Sequence, residues 1–298
     1  MKWIGPALVR AFASAETDAY RMADGDRCWI ERFGDGAILS HAATDPLDDI
    51  IGRIHEWCER TGVALPRIYA RRLVAAPGSN DAPQLLVGGA SSDTGVAREE
   101  GLRYEIDFLA GYSCGLFIDQ RANRHRVRAE CAGKLLNLFA YTCSFSVVAA
   151  SAGAQTVSVD LSKSALERGR RNFELNHLAT DGHRFIADDA LDVLPRLARR
   201  SERFEWIILD PPTFSRGRAG RILRVERDFG RLIEMACACA APGAMILLST
   251  NCSALDVSVL QTLGRRHARK RVAFFESPPL PDIPPRRAAS TLWMQVFG

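Results

Sequence analysis

The sequence has 298 residues, 47% of them hydrophobic, and a formal charge of +4. That length suits one large domain or a catalytic domain with a smaller partner, and the apolar share is ordinary for a globular protein with a sizeable core. No apolar run approaches a membrane span. None of the eight cysteines forms a C-x-x-C pair, which argues against a zinc site, and a chain this large does not need a disulfide framework.

The mild positive balance permits nucleic-acid binding without demanding it. Only Lys2, Lys134, Lys163 and Lys270 are lysines, so the other cations are arginines, which suit bidentate phosphate contacts. A GC-rich coding bias gives the same excess. Met1–Ala15 is weakly signal-like, but Pro6 and Arg10 interrupt it. A soluble cytoplasmic protein without metal is expected.

From about Asp18 to Asp107 short strands surround one helix. Arg27–Glu31 and Ala37–Leu39 read as strands joined by the turn Phe33-Gly34-Asp35-Gly36. Pro46 opens a helix through Arg60, with Leu47, Ile50, Ile51, Ile54 and Trp57 spaced for one buried stripe. Ile68–Val74, Leu85–Val87 and Arg103–Phe108 follow as strands. This predicts a small N-terminal α+β domain of β-β-α-β-β type over residues 1–110, followed by a catalytic domain over 111–298.

From Lys134 onward strands alternate with helices. The predicted strands are Leu135–Phe139, Thr156–Asp160, His183–Ala187, Trp206–Asp210 and Ala244–Thr250. Helices are predicted over Ser144–Ala152, from Ser162 to about Asn176, over Ala190–Arg199, and over Leu223–Ala241, the last ending near Pro242-Gly243. Ser277–Arg287 is a Pro-rich surface loop before a last strand, Thr291–Phe297. The alternation implies an α/β fold with a mostly parallel sheet, whose ligands bind beyond the carboxyl ends of the strands.

Four strand ends carry candidate chemistry. In Asn137-Leu138-Phe139-Ala140-Tyr141-Thr142-Cys143-Ser144 a strand turns into a helix, whose first amides can hold a carboxylate. In Val159-Asp160-Leu161-Ser162 a lone acid can accept both hydroxyls of a ribose, or merely assist the helix start. In Ala187-Asp188-Asp189-Ala190 a side chain can accept from an adenine amino group, and Asp189 can also cap the next helix. In Leu209-Asp210-Pro211-Pro212-Thr213-Phe214 two prolines fix an extended turn and remove two donors, leaving Asp210 as an acceptor at the rim.

Taken together, Leu136–Ser253 resembles the class I methyltransferases that use S-adenosylmethionine (SAM) to modify bacterial large-subunit (23S) ribosomal RNA, at cytosine carbon 5 or guanine ring nitrogen 7. The matching runs are "NLFAYTCSFS", "VSVDLSKSALERGRRNFELN", "ADDA" and "LDPPTFS". Gly115–Arg124 resembles that family's "GxFxDQRxxR" signature, and "TDAYRM…ERFGDG" its small upstream domain.

The resemblance implies a Rossmann-like fold with a mostly parallel seven-stranded sheet. It also implies that Asn137, Phe139, Ala140 and Thr142, with Cys143 and Ser144 in the same loop, line the methionine end of SAM. Asp160, flanked by Leu161 and Ser162, would hold the ribose. Asp189, between Asp188 and Ala190, would hold the adenine, and Asp210 would lie beside the sulfonium. Gln120 and Arg124 would either close the pocket or make an interdomain contact. Cys143 stands where relatives often have glycine, and no PUA-type RNA-binding domain is expected before the small domain.

Two chemistries stay open. Methylation of cytosine carbon 5 needs a thiolate that adds to the neighbouring carbon, and Cys252 is the candidate, with a small buried apolar residue as the alternative. A guanine ring nitrogen needs only positioning. Pro211, Pro212, Phe214, Arg216 and Arg218 are candidate substrate contacts, with Arg221, Arg224, Arg227 and Arg231 beyond them. A second cluster, Arg265–Arg271, looks like further phosphate contacts at the active-site mouth or a solvated helix face. A methyltransferase for a protein or small molecule, and a non-catalytic SAM- or RNA-binding protein, are the competing functions. A homodimer is compatible with all of them.

Overall fold

The computed structural model describes residues 1–42, 46–73, 82–89, 92–111, 113–217 and 220–298. The chain forms two compact units, Met1–Ile118 with Leu280–Pro284, and Asp119–Pro279 with Pro285–Gly298.

In the first unit the elements are β1 (Lys2–Trp3), α1 (Pro6–Ser14), β2 (Ala19–Asp24), β3 (Trp29–Phe33), β4 (Gly36–His41), α2 (Leu47–Thr61), β5 (Arg67–Arg72), β6 (Gln84–Val87), β7 (Thr94–Glu99) and β8 (Leu102–Asp107). Strands β1 to β6 form one sheet in chain order, and β7–β8 pair separately. The expected β-β-α-β-β run is β3-β4-α2-β5-β6; Val74, at the predicted end of the β5 strand, lies outside the described residues. Helix α2 buries Ile50, Ile54 and Trp57 and ends at Gly62, whose φ of 71° is the left-handed conformation glycine adopts without penalty.

β1, α1, β2 and β7 lie outside the elements that periodicity predicts. β2 is buried along its length although it carries Arg21 and Asp24. Arg21 tolerates burial because it pairs with Glu31 at 2.7 Å and Asp24 at 3.4 Å. Met1–Ala15, weakly signal-like in sequence, supplies β1 and α1, whose Val9 and Phe12 enter the core of this unit.

The second unit starts with a 3-10 turn ending at Gln120, then α3 (Arg121–Glu130), β9 (Lys134–Leu138), α4 (Ser144–Ser151), β10 (Gln155–Asp160), α5 (Lys163–Leu175), β11 (Arg184–Ala187), α6 (Ala190–Arg199) and β12 (Phe204–Leu209). There follow β13 (Phe214–Arg216), β14 (Ile222–Arg224), α7 (Val225–Cys237), β15 (Ala240–Thr250), α8 (Val257–His267), β16 (Val272–Phe275) and β17 (Ser290–Val296). Its main sheet has seven strands in the order β11-β10-β9-β12-β15-β17-β16. The first five are mutually parallel and β17 runs antiparallel to both neighbours. This is the mostly parallel α/β architecture expected.

Side chains alternate across the sheet, and the alternation sorts the layers. Leu136, Leu138, Val157, Val159, Ile207 and Leu209 face a core shared with α6, α7 and α8. Asn137 and Ser158 face the other way, towards Ser146 of α4. Chain order runs outward from β9 in both directions, so the topological switch point falls between β9 and β12.

Both ends of one predicted helix move. The helix expected over Leu223–Ala241 is shorter, because Leu223 pairs with Ser215 in a β13–β14 hairpin. At the other end Pro242-Gly243 falls inside β15, where the register with β12 slips between Phe204↔Ala240 and Trp206↔Met245.

Candidate active site

The turn after β9 has an unusual backbone. Phe139, Tyr141 and Cys143 all have positive φ, at 58°, 47° and 61°. Each such non-glycine residue costs on the order of 1–2 kcal/mol, so the surroundings must enforce the shape. They do so by hydrogen bonds: the Ala140 amide donates to the Val159 carbonyl at 3.0 Å, and the Cys143 amide to the Ala140 carbonyl at 2.8 Å. The Asn172 side chain donates to the Thr142 carbonyl at 2.9 Å. Packing adds to this, because Cys143 is buried against Gly169 of α5, where a Cβ would lie 2.5 Å from Sγ.

Asp160 is clamped between two turns. One carboxylate oxygen accepts from the Tyr141 amide at 2.8 Å, the other from the Ser162 amide at 2.8 Å. Burial pushes its pKa up, and these two bonds pull it back. A carboxylate oxygen has two lone pairs, so each keeps acceptor capacity for a further hydroxyl. Leu161 beside it is an exposed large apolar residue, and Ser162 caps α5 by accepting from Ala165 at 3.1 Å.

The end of β11 is tied to that of β10. The Asp188 amide donates to the Asp160 carbonyl at 3.0 Å. The Asp188 carboxylate accepts from the Asp189 amide at 2.9 Å and pairs with Arg196. Asp189 caps α6 by accepting from Leu191 at 2.9 Å, so the capping expectation holds. Its other oxygen faces Arg221 at 3.5 Å and lies against Gly217, where a Cβ would overlap it. Ala190, the next residue, is buried.

Asp210 stands at the switch point, one residue past β12. Burial pushes its pKa up to about 6, with help from the Asp119 charge; the neighbouring Ser249 hydroxyl and the Arg124 charge act in the opposite direction. Arg124 is almost fully buried and lies over the Phe145 ring at 5.8 Å. Pro211 is buried and Pro212 exposed.

Two of the expected cofactor residues are engaged elsewhere. Asn137 is buried beneath α4, donating to Ser146 at 3.0 Å. Gln120 is buried and donates to Ser249 at 2.9 Å, while Asn123 donates to it at 2.8 Å. Both side chains support the strand ends from within. Phe139 and Ser144 are partly exposed in the turn, and Ala140, Thr142 and Cys143 are buried there. Ser249 and Asn123 were not singled out from sequence, since Asn123 falls at a variable position of the Gly115–Arg124 signature and Ser249 inside a predicted strand.

Cys252 follows β15 with 5% of its surface exposed. Its thiol donates to the Glu226 carboxylate of α7 at 3.4 Å. Burial pushes its pKa up, and the acid beside it adds to that rise. These surroundings favour the thiol over the thiolate that nucleophilic attack requires.

The β13–β14 hairpin carries an outward face. Directly opposed residues of an antiparallel pair share a side, so Phe214 and Arg224, and next-but-one Arg216 and Ile222, lie together. Phe214 is 47% and Ile222 40% exposed, and Arg224 lies over the Phe214 ring at 5.9 Å. Leu223 on the opposite side is buried. Arg218 lies outside the described residues. The second arginine cluster is elsewhere: Val272 pairs with Val296 at the end of β17 remote from Ser290, so residues 265–271 lie at the far end of the sheet from Asp210. Of the two readings offered for them, the active-site mouth does not hold and the solvated face does, with Arg265, Arg266, Arg269 and Arg271 exposed. Among the described residues no group of three His, Cys, Asp or Glu could hold a metal ion, and no helix is long and apolar enough to cross a membrane.

Residues 70–295 match the sequence profile of a family described as S-adenosylmethionine-dependent methyltransferase. A ribosomal RNA large subunit methyltransferase of Deinococcus radiodurans is 38% identical over 57% of this chain and 42% of its own length. Ribosomal RNA large subunit methyltransferase K/L of Pseudomonas paraeruginosa is 37% identical over 79% of this chain and 34% of its own. The chain thus spans less than half the length of these curated relatives. Among solved structures, the SAM-dependent methyltransferase of Agrobacterium tumefaciens superposes with a TM-score of 0.73 at 22% identity, over 94% of this chain and 90% of that one. At that identity the likeness shows the fold.

Proposed function

Because the chain belongs to the S-adenosylmethionine-dependent methyltransferase family, we propose that it transfers the methyl of SAM to a base of ribosomal RNA, most simply of the large subunit. SAM supplies an electrophilic methyl on a sulfonium. The chain's own groups suit that guest. Asp160, with acceptor capacity on both oxygens, would take the ribose hydroxyls. Asp188 or Asp189 would accept from the adenine amino group, Leu161 would cover the ring, and the turn Phe139–Ser144 would carry the methionine end. Asp210, at the switch point, would face the positive charge.

One observation supports RNA as the acceptor: an exposed aromatic and two arginines share the hairpin face that follows Asp210-Pro211-Pro212. An unpaired base can stack on Phe214 while Arg216 and Arg224 meet phosphates. A base in a duplex would first have to leave its stack. The names of the curated relatives point to the same acceptor, and a ribosomal substrate would place the enzyme in the cytoplasm.

Between the two chemistries, the setting of Cys252 favours direct transfer to a ring nitrogen. That lone pair is already nucleophilic, so the protein need only align it with the methyl. No thiolate is needed, and Glu226 opposes one. The test is transfer of a radiolabelled methyl to ribosomal RNA from cells lacking this protein, followed by nucleoside analysis. The proposal expects one labelled nucleoside, methylated on a guanine ring nitrogen. Label in 5-methylcytidine would overturn the choice of chemistry, and label confined to protein or small molecules would overturn RNA as the acceptor.

A further inference from the structure

Behind Asp210 lies a line of buried polar side chains whose direction is fixed by one residue. The register Leu209↔Leu248 sets Asp210 beside Ser249 at the ends of β12 and β15. Ser249 accepts from Gln120 Nε2 at 2.9 Å, Gln120 Oε1 accepts from Asn123 Nδ2 at 2.8 Å, and Asn123 Oδ1 accepts from Trp293 Nε1 at 2.9 Å and from Ser277 Oγ at 2.6 Å. Gln120, Asn123, Ser249 and Trp293 are all buried.

An amide side chain can be turned end for end, and its orientation is normally inferred from its neighbours. Here the indole settles it, because Trp Nε1–H only donates. Asn123 must therefore turn its oxygen to Trp293 and its NH2 to Gln120. Gln120 must in turn present its oxygen to Asn123 and its NH2 to Ser249. The Ser249 hydroxyl, having accepted from Gln120, can turn its own hydrogen towards Asp210, its neighbour across the β12–β15 ladder, where a hydroxyl favours the charged form of that acid. Each of these hydrogen bonds donates in the same direction, towards the Asp210 end of the line. Chains of this kind polarise each other in a low-dielectric interior.

We propose that Ser249, Gln120 and Asn123, oriented by the Trp293 indole, are positioning residues that hold Asp210 in one rotamer and in its charged form against the cost of burial. The charged groups acting on Asp210 in addition are Asp119, which opposes ionisation, and Arg124, which supports it. The consequence for catalysis rests on Asp210 facing the sulfonium. The hydrogen-bond line can be tested apart from that.

The experiment is thermal unfolding of the full, cofactor-free chain across the range from about pH 4 to pH 8, each profile referred to the same profile in an Asp210→Asn background. A carboxyl whose folded pKa is raised contributes its full stability below the unfolded value of about 3.9. That contribution is lost as pH rises, until the folded pKa of about 6 is passed. In Ser249→Ala the loss should continue about one pH unit higher, the size expected when a hydrogen bond to a charged group is removed. Ser249→Thr should restore the native profile. Trp293→Phe, which keeps a ring and removes the fixed donor, should shift the profile in the same direction by less.

Native profiles in both Ser249→Ala and Trp293→Phe would overturn the proposal. Should Ser249→Ala fail to fold, the Trp293→Phe profile decides. SAM affinity at neutral pH separates the two ideas. If Asp210→Asn binds SAM as the native chain does while Ser249→Ala still shifts the unfolding profile, the line stands and the sulfonium role of Asp210 falls.

Discussion

The Asp188 amide donates to the Asp160 carbonyl at 3.0 Å, so the turns leaving β11 and β10 are joined through the backbone. Asp160 then reaches across to the Tyr141 amide in the turn leaving β9 at 2.8 Å. Three successive strand ends are thus cross-linked by two bonds, and the acids that follow β10 and β11 are held together at the carboxyl end of the sheet. A site built this way depends on small residues where elements meet, and the first test addresses one of them.

Gly169 lies where α5 meets the strained turn. A Cβ there would lie 2.5 Å from the Cys143 sulfur and 2.9 Å from its Cβ. In an open helix Gly→Ala would add about 1 kcal/mol of stability. Here overpacking by on the order of 1–3 kcal/mol outweighs it. Gly169→Ala should therefore lower stability in denaturant unfolding, and the loss should shrink in a Cys143→Gly background, where the obstructing atoms are gone. Equal losses in both backgrounds would mean the contact does not govern the turn.

The raised pKa of Asp210 gives SAM binding a pH dependence of definite sign. A cationic ligand prefers the ionised carboxyl, so affinity should be level above about pH 6 and decline as pH falls through it. Below that point each unit should cost up to about tenfold. Asp210→Asn should bind more weakly at neutral pH and show no such decline. Calorimetric titration across the range measures both. An opposite slope, with tighter binding in acid, would exclude Asp210 as the group facing the sulfonium.

Cys252 should react slowly with iodoacetamide at neutral pH, because it is buried and the Glu226 acid keeps it a thiol. Glu226→Gln removes the charge and should speed alkylation several-fold. Cys252→Ser should retain methyl transfer under the ring-nitrogen chemistry. Complete loss of transfer with SAM affinity intact would instead reinstate the thiolate route.

Phe214 and the arginines beside it separate acceptor binding from cofactor binding. Phe214→Ala should weaken RNA binding by about 1–3 kcal/mol, the usual worth of a stacked base. Arg216→Ala or Arg224→Ala should each flatten the salt dependence of binding by about one ion. SAM affinity should not change in any of them. A loss of SAM binding with no change towards RNA would move the hairpin from the substrate side to the cofactor side.

Much of the catalytic unit was legible in the sequence because its determinants are local. Apolar runs such as Trp206–Leu209 announce buried parallel strands, and Ser162 and Asp189 announce helix starts that their side chains do cap. The acids fall at strand ends, as motif spacing implies. What was not legible is non-local or runs against pattern. The β13–β14 hairpin exposes Phe214 and Ile222 and buries Leu223, too short an alternation to mark strands in the sequence. Helix α8 buries only Leu260 and Gly264, too thin a stripe to read. Gln120 finds Ser249 across 129 residues and Asn123 finds Trp293 across 170, so only the folded chain brings that line together. The place of residues 265–271, at the far end of the sheet, follows from strand direction and not from composition.

The account stands or falls on whether the strand-end acids bind one adenosyl group. Calorimetric titration of SAM into the native chain and into Asp160→Ala, at a pH above the Asp210 transition, tests this most directly. One site is predicted in the native chain, with affinity at least about tenfold weaker in the variant, as loss of hydrogen bonds to a charged acceptor requires. No heat from the native chain, or equal affinity in the two, would contradict it.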